Sequence, residues 1–267
     1  MRVLLLAALP QEHGSLRRRS KTWRLLAKRP FRHFSRSVSG VEVLLVETGM
    51  GARKAGEAMK WACGWFRPDL ALSIGFAGSL CGELKVGDVL LGEESVRFPQ
   101  VRSSFLDQSF VLSIPEDLKE FFKGLGTCFG RIVTVEEPRP KAGMATLFSD
   151  LPTVVDMETH AAADFAAEAG VPLLCIRCVS DGLYDEIDYK MDVIADSEGN
   201  VRISKVMTAL LMKPGLLNSF TRSWRRATVA ADGLGRMLCG FLNLPASVLA
   251  RGAAGCRVGI RGGACKG

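Results

Sequence analysis

Histidine is scarce in this 267-residue chain: His13, His33 and His160 are far apart, which argues against a histidine-rich metal site and against a Ser-His-Asp arrangement. The eight cysteines lack the spacing of a disulfide framework. Their one close pair, Cys175 and Cys178, lies inside the apolar run "LLCIRCVS", and no second Cys or His pair has zinc-ligand spacing, so buried thiols in a reducing compartment are the better reading. No uninterrupted apolar stretch is long enough to cross a bilayer. The opening "MRVLLLAALPQEHG" stops at Pro10-Gln11-Glu12 without a small-x-small cleavage site, and reads as a first buried strand rather than a signal peptide. There is no P-loop, and Gly49, Gly51 and Gly56 in "TGMGARKAG" miss the dinucleotide-binding spacing. What that glycine turn offers is close backbone approach to a ligand. These absences point to a cytoplasmic protein that uses neither metal nor organic cofactor.

Acidic residues are also absent locally. The stretch Ser15 to Ser37, "SLRRRSKTWRLLAKRPFRHFSRS", contains none, and the tail from Arg222 onward is again basic, within a net charge of +7. Such patches suit nucleic acid or an anionic membrane surface. A solvated basic loop is the reading preferred for the first segment, and no nucleic-acid partner is expected.

The composition that remains, 48% hydrophobic and 24% charged, is that of a globular protein with a full core. "MRVLLLAAL", "VEVLLVETG" and "LALSIGFAG" are short apolar runs ending in polar or turn residues. Between the second and third, Ala55, Met59, Ala62, Cys63 and Phe66 recur at helical spacing. Strand, helix, strand predicts a parallel α/β sheet. "LKVGDVLLGEESV" adds a strand, and further elements are expected near Phe110–Leu112, Asp117–Lys123 and Gly130–Val135. The resulting expectation is an α/β, three-layer αβα fold with a mixed, mostly parallel twisted central sheet, spanning residues 1–203. A basic amphipathic helical appendage is expected over 204–244. The Gly-, Ala- and Arg-rich residues 245–267 lack any period and are expected to be disordered.

Carboxylates cluster where this pattern changes. In "VVDMETHAAADFAAEAGVPLLCIRCVSDG", Asp156 and Glu158 stand at the entrance of a helix whose face carries Met157, Ala161 and Phe165. Arg177 and Asp181 lie in the following apolar run, and Asp181 falls at the carboxyl end of a buried strand, the edge where open α/β sheets bind ligands. Each has a structural reading as well. Asp156 suits a helix entrance, Glu158 is an acid favoured by the helix dipole, Arg177 is a buried ion-pair partner, and Ser180-Asp181 caps the next element.

Taken together, "ALPQE", "TGMG", "SIGFAGSL", "LKVGD", "VDMETHAAADFAAEAGVP" and "CIRCVSD", in this order from Met1 to Glu186, resemble the nucleoside phosphorylase and nucleosidase superfamily. Within it the chain looks like the methylthioadenosine/S-adenosylhomocysteine nucleosidase branch, and "VDMETHAA" is most similar to hopanoid-associated members that act on adenosylhopane. The resemblance implies hydrolysis of the N-glycosidic bond of a 5′-substituted, adenosine-derived purine nucleoside. It implies that Asp181 protonates the purine N7, Glu158 holds the 2′ and 3′ hydroxyls, and Glu12 orients the attacking water. Ala77, Gly78, Met157, Arg177 and Ser180 would border the base and sugar, and burial among apolar strands would favour the protonated acid.

Phosphorylases of this family carry an arginine before the glycine turn and a phosphate-binding serine in it, where this chain has Ser73 and Phe76. Water is the favoured nucleophile. The alternatives are a phosphate-dependent phosphorylase that recruits Arg32 or Arg36, and a non-catalytic nucleoside-binding or membrane-associated protein. The segment Thr134 to Phe148, "TVEEPRPKAGMATLF", presents no aromatic residue to the purine, Pro138 falling near that position. By analogy a homodimer is expected, and the basic C-terminal helices are candidates for peripheral membrane contact at its inner face.

Overall fold

A computed structural model describes residues 1–98, 109–185 and 216–261. In order these form β1 (Arg2–Ala7), α1 (Pro10–Arg19), β2 (Arg24–Ala27), β3 (Arg32–Val38), β4 (Val41–Glu47), α2 (Ala52–Phe66), β5 (Leu70–Ser79), β6 (Val89–Arg97) and β7 (Ser109–Ser113). Then come α3 (Glu116–Gly124), β8 (Cys128–Thr134), α4 (Lys141–Ala145), β9 (Thr153–Asp156), α5 (Thr159–Ala169) and β10 (Leu173–Asp181). The described chain ends with α6 (Leu216–Leu242), α7 (Ala246–Gly255) and β11 (Arg257–Arg261).

The apolar runs are strands because they are buried on both faces, so alternate side chains serve opposite layers. Along β1, Val3, Leu5 and Ala7 enter one core with α1, α3, α6 and α7, while Leu4 and Leu6 enter another with α2 and α5. Three layers result. The centre of the sheet is parallel, as expected: β4, β1, β5 and β10 are joined in that order. Antiparallel pairs flank it at β2–β3–β4 and β6–β7–β11. Because β10 bonds to both β5 and β6, the strands β5, β10, β6, β8 and β9 close on one another. That closure gathers the carboxyl ends of β5 and β10 and the end of β9 at one place.

The chain's C-terminal part departs from expectation. Leu234, Leu238, Phe241 and Leu242 of α6 are fully buried in the principal core, against the sheet and α1, so this helix is part of the domain rather than an appendage. Residues 246–261 are a helix and an edge strand, which corrects the expectation of disorder from 245. Small residues, which removed the periodic signal, are what let α7 approach α3: a Cβ on Gly252 would stand 2.7 Å from Leu118. The strand β11 takes its register from the backbone of β7, Val258 opposite Leu112, a pairing no local pattern encodes. Residues 204–215 and 262–267 lie outside the described residues.

No single helix among the described residues is long and apolar enough to cross a membrane; α6 from Thr221 with α7 satisfies length and composition only as a pair bent by 104°. From Thr221 onward most of the apolar surface of α6 faces the core, leaving Trp224 and Val229 as its exposed large apolar side chains among the described residues.

Leu249 on α7 is fully buried. Leu249→Ala is expected to destabilise the protein by about 2–5 kcal/mol, as for a core leucine, measured by denaturant unfolding. A disordered tail would leave the midpoint unchanged.

Candidate active site

Three carboxylates and one guanidinium share a buried site at the carboxyl ends of the central strands. Arg177, on β10, is 1% exposed. Its Nε donates to Asp156 Oδ2 at 2.7 Å, one terminal nitrogen donates to the Ser73 and Ile176 carbonyls at 2.9 Å each, and the other donates to Ser73 Oγ at 2.9 Å. Asp156 also accepts from the Thr159 backbone N–H at 3.0 Å and from the Thr159 and Thr134 hydroxyls at 2.5 and 2.7 Å. Asp156 therefore fixes the entry of α5, and Arg177 is spent on Asp156 and Ser73. This is the structural reading of both residues: four of the five guanidinium N–H groups have acceptors within the protein, and the terminal nitrogen bonded to Ser73 Oγ also lies 2.7 Å from Asp156 Oδ2.

Glu158, next to Asp156, is held at the start of α5 and accepts from the Gly51 N–H at 2.7 Å. The glycine turn after β4 thus serves Glu158. Glu12, in the first turn of α1, is 4% exposed and has both oxygens engaged: Oε2 accepts from the Leu9 N–H at 2.8 Å and Oε1 from the Phe76 N–H at 3.0 Å. Gly75 makes room for it, since a Cβ there would lie 2.8 Å from Oε1. A narrow cleft lined by Ala8, Thr48, Ser73, Ile74, Glu158 and Arg177 opens beside these groups.

One cation cannot neutralise three acids, of which Glu12 and Asp156 are buried and Glu158 is half-buried. Burial pushes Glu158 up to about 8, and the neighbouring charges of Asp156 and Glu12 add to the rise. Burial also raises Glu12 above the ordinary carboxylate range, opposed by the Phe76 and Leu9 N–H groups and by Arg177. Such opposed, perturbed carboxylates mark functional sites.

The second half of the site adjoins along β5 and β10, which run parallel with Arg177 opposite Gly75 and Asp181 opposite Gly78. The register shifts between Val179 and Asp181, so Ser180 is a bulge that re-aims Asp181. Ser180 Oγ donates to Asp181 Oδ1 at 2.7 Å and lies 3.3 Å from the Ala77 carbonyl. Asp181 is not in the apolar setting its strand suggested. Lys141 Nζ forms an ion pair with Oδ2, and a Cβ on Gly78 would come within 2.7 Å of that oxygen. Met157 packs at the edge of a separate apolar cluster with Val155.

The structure thus brings Glu12, Glu158 and Arg177 into one cluster, and Ala77, Gly78, Ser180 and Asp181 into the adjoining one. Lys141 is the residue that sequence reasoning missed. Its only local signal was position: it follows Pro138-Arg139-Pro140 directly, and Pro140 (φ −56°, ψ 130°) holds the chain extended up to α4. Among the described residues no group of three or more His, Cys, Asp or Glu is placed to hold a metal ion.

Comparison with known proteins identifies the family and the fold. Residues 2–212 match the family model described as the phosphorylase superfamily. Among curated proteins, the chain is 27% identical over 175 residues to the 5′-methylthioadenosine/S-adenosylhomocysteine nucleosidase of Bacillus velezensis, covering 58% of this chain and 75% of that one. It is 22% identical to the enzyme of the same name from Geobacillus thermodenitrificans, over 79% of this chain and 96% of that one. Among solved structures, the same fold is seen in the corresponding nucleosidase of Neisseria meningitidis in complex with methylthio-immucillin-A (TM-score 0.65, 20% identity, 91% of this chain and 98% of that one). It is also seen in futalosine hydrolase of Helicobacter pylori (TM-score 0.68, 14% identity, 91% and 97%).

The raised Glu158 sets a pH dependence. A carboxyl whose folded-state value lies above its ordinary 4.5 favours the folded state when protonated, so its contribution is complete below pH 4.5 and is lost as pH rises through about 8. Glu158→Gln keeps the acceptor for Gly51 and removes the ionisation. Relative to this variant, the wild type is expected to lose thermal stability steadily between those two pH values. Parallel melting-temperature profiles would show that Glu158 does not carry the proton.

Proposed function

The chain belongs to the phosphorylase superfamily, and from that premise we propose that it is a purine nucleosidase which hydrolyses the N-glycosidic bond of a 5′-substituted, adenosine-derived nucleoside. The observation that carries this reading is the surplus of buried negative charge: Glu12 and Glu158 lie beside a guanidinium already committed to Asp156. Breaking the C1′–N9 bond places positive charge on the ribose ring, and preorganised carboxylates stabilise it. Glu12 orients water and faces the cationic carbon, protonated Glu158 exchanges hydrogen bonds with the 2′ and 3′ hydroxyls, and Asp181 serves the purine N7. Ser180, Ala77 and Gly78 border the base, with Met157 toward the sugar. Arg177 acts by positioning Asp156 and Ser73.

Water rather than phosphate as nucleophile is supported by what occupies the glycine turn. The Phe76 N–H, a natural anion donor, is taken by Glu12, while the Ser73 hydroxyl oxygen accepts from Arg177. Arg32, one candidate for a phosphate ligand, pairs with Glu47 at 3.2 Å, and Arg36 lies over the Trp23 ring. An anion entering here would meet two acids, Glu12 and Glu158.

We further propose a cytoplasmic homodimer whose substrate carries an extended 5′ group, a lipid-linked adenosine such as adenosylhopane being one form that the sequence resemblance favours. Peripheral membrane contact would rest on Trp224 and Val229 of α6, with Arg222 and Arg225 exposed on the same helix.

The test is adenine release from 5′-methylthioadenosine, S-adenosylhomocysteine and a long-chain 5′-alkyl adenosine, with and without phosphate. Release independent of phosphate is expected, with Asp181→Asn and Glu12→Gln each slowing it by about a hundredfold or more. Phosphate-stimulated formation of ribose 1-phosphate would assign a phosphorylase instead, and no release from any compound by folded wild type would defeat the adenosine reading.

A further inference from the structure

The Lys141 ammonium is held with unusual completeness. Its side chain is 9% exposed, and besides Asp181 Oδ2 it reaches the carbonyls of Gly182 at 2.7 Å, Asp185 at 3.1 Å and Asp181 at 3.4 Å. Among the described residues Asp181 is the one side chain it bonds; the other contacts are backbone oxygens that fix its place. The remaining charges here are already paired with each other. Asp185 accepts from the Gly182 N–H at 2.9 Å and from Arg226 of α6 at 2.7 Å. From β5 the pair meets only Gly78, where a Cβ would stand 2.7 Å from Asp181 Oδ2 and 3.1 Å from Lys141 Nζ, so glycine leaves the space the pair fills. Among the described residues, the charged groups facing Asp181 and its partner are therefore Lys141 from α4, Asp185 from the turn after β10, and Arg226 from α6.

This geometry conflicts with a lone protonated carboxyl acting as the acid. A carboxyl oxygen in an ion pair with a buried ammonium shares a charge-assisted hydrogen bond with it, along which a proton can pass. We propose that the acid serving the purine is the Lys141–Asp181 pair, with Lys141 acting through Asp181 as a positioning residue that keeps its carboxyl supplied with a proton. The proposal rests on the nucleosidase reading above. As C1′–N9 breaks, its electron pair moves onto the purine, and a proton passes from Lys141 Nζ to Asp181 Oδ2 and from the Asp181 carboxyl on to N7. The neutral amine is then recharged from water. The attacking water forms the C1′–O bond and releases its second proton to solvent past Glu12, so the sum is nucleoside plus water giving base plus sugar.

Lysine and arginine differ here in a way that can be measured: both supply positive charge, but arginine does not release its proton at working pH. The experiment is kcat/KM for wild type, Lys141→Met and Lys141→Arg from about pH 5 to about pH 9, with circular dichroism and melting temperature confirming folding. Lys141→Met is expected to fall at least about tenfold below wild type near pH 8, the gap closing toward pH 5, where an unassisted carboxyl takes its proton from solvent. Lys141→Arg is expected to stay slow near pH 8. A Lys141→Met profile parallel to wild type, or wild-type rates in Lys141→Arg, would show that the lysine supplies charge or structure alone and overturn the proposal, leaving the nucleosidase reading intact. Folded wild type without turnover would remove that reading and this proposal with it.

Discussion

The site depends on one buried cation being outnumbered. Arg177 sits among Asp156, Glu158 and Glu12, and its donors go to Asp156 and Ser73. Removing charges from water is costly, so an arrangement like this persists only where hydrogen bonds compensate and where the excess charge is neutralised by a proton or a cationic ligand. Backbone N–H groups of Leu9, Gly51 and Phe76 compensate in part. The remaining imbalance raises Glu158 and Glu12. Under the proposed function it would also ready the site for a sugar that becomes positive during reaction, so that electrostatic strain in the resting protein and stabilisation of the transition state would have the same origin.

The fold explains how residues so far apart in sequence meet. Closure of β5, β10, β6, β8 and β9 brings the β9–α5 junction, which carries Asp156 and Glu158, against the ends of β5 and β10. The α1 entrance brings Glu12 to the same edge from β1. Asp181 reaches its position through the bulge at Ser180, and the segment after it is held from both sides, by Lys141 on α4 and Arg226 on α6. The C-terminal helix is thus coupled to the base end of the site while packing as core.

How much of this was legible in the sequence follows from how local each signal is. The strands β1, β4, β5 and β10 are continuous apolar runs, and Glu158 and Asp181 stood out because each is a carboxylate where such a run ends or a helix begins, whereas Glu12 was marked only by the family resemblance. The double role of Asp156, capping α5 and binding Arg177, was anticipated as two separate structural readings, since the capping pattern is local and the arginine lies in an apolar stretch with an obvious need for a partner. Lys141 was not legible: its partner is 40 residues away, and no periodic pattern runs through Thr134 to Phe148. Nor was the ordered C-terminal end. Gly252 and Ala253 pack because they are small, and β11 is a strand only because β7 offers it an edge.

The central claim is that this site is electrostatically complementary to a cationic ribosyl group. The direct measurement is calorimetric binding of two adenine nucleoside analogues that share a 5′ group, one with a neutral ring and one whose ring nitrogen carries a proton, to wild type and to Glu12→Gln. The account predicts that wild type favours the cationic ring by about a hundredfold or more, as expected for transition-state likeness, and that the preference largely collapses in the variant. Equal affinities for the two analogues in wild type would contradict it.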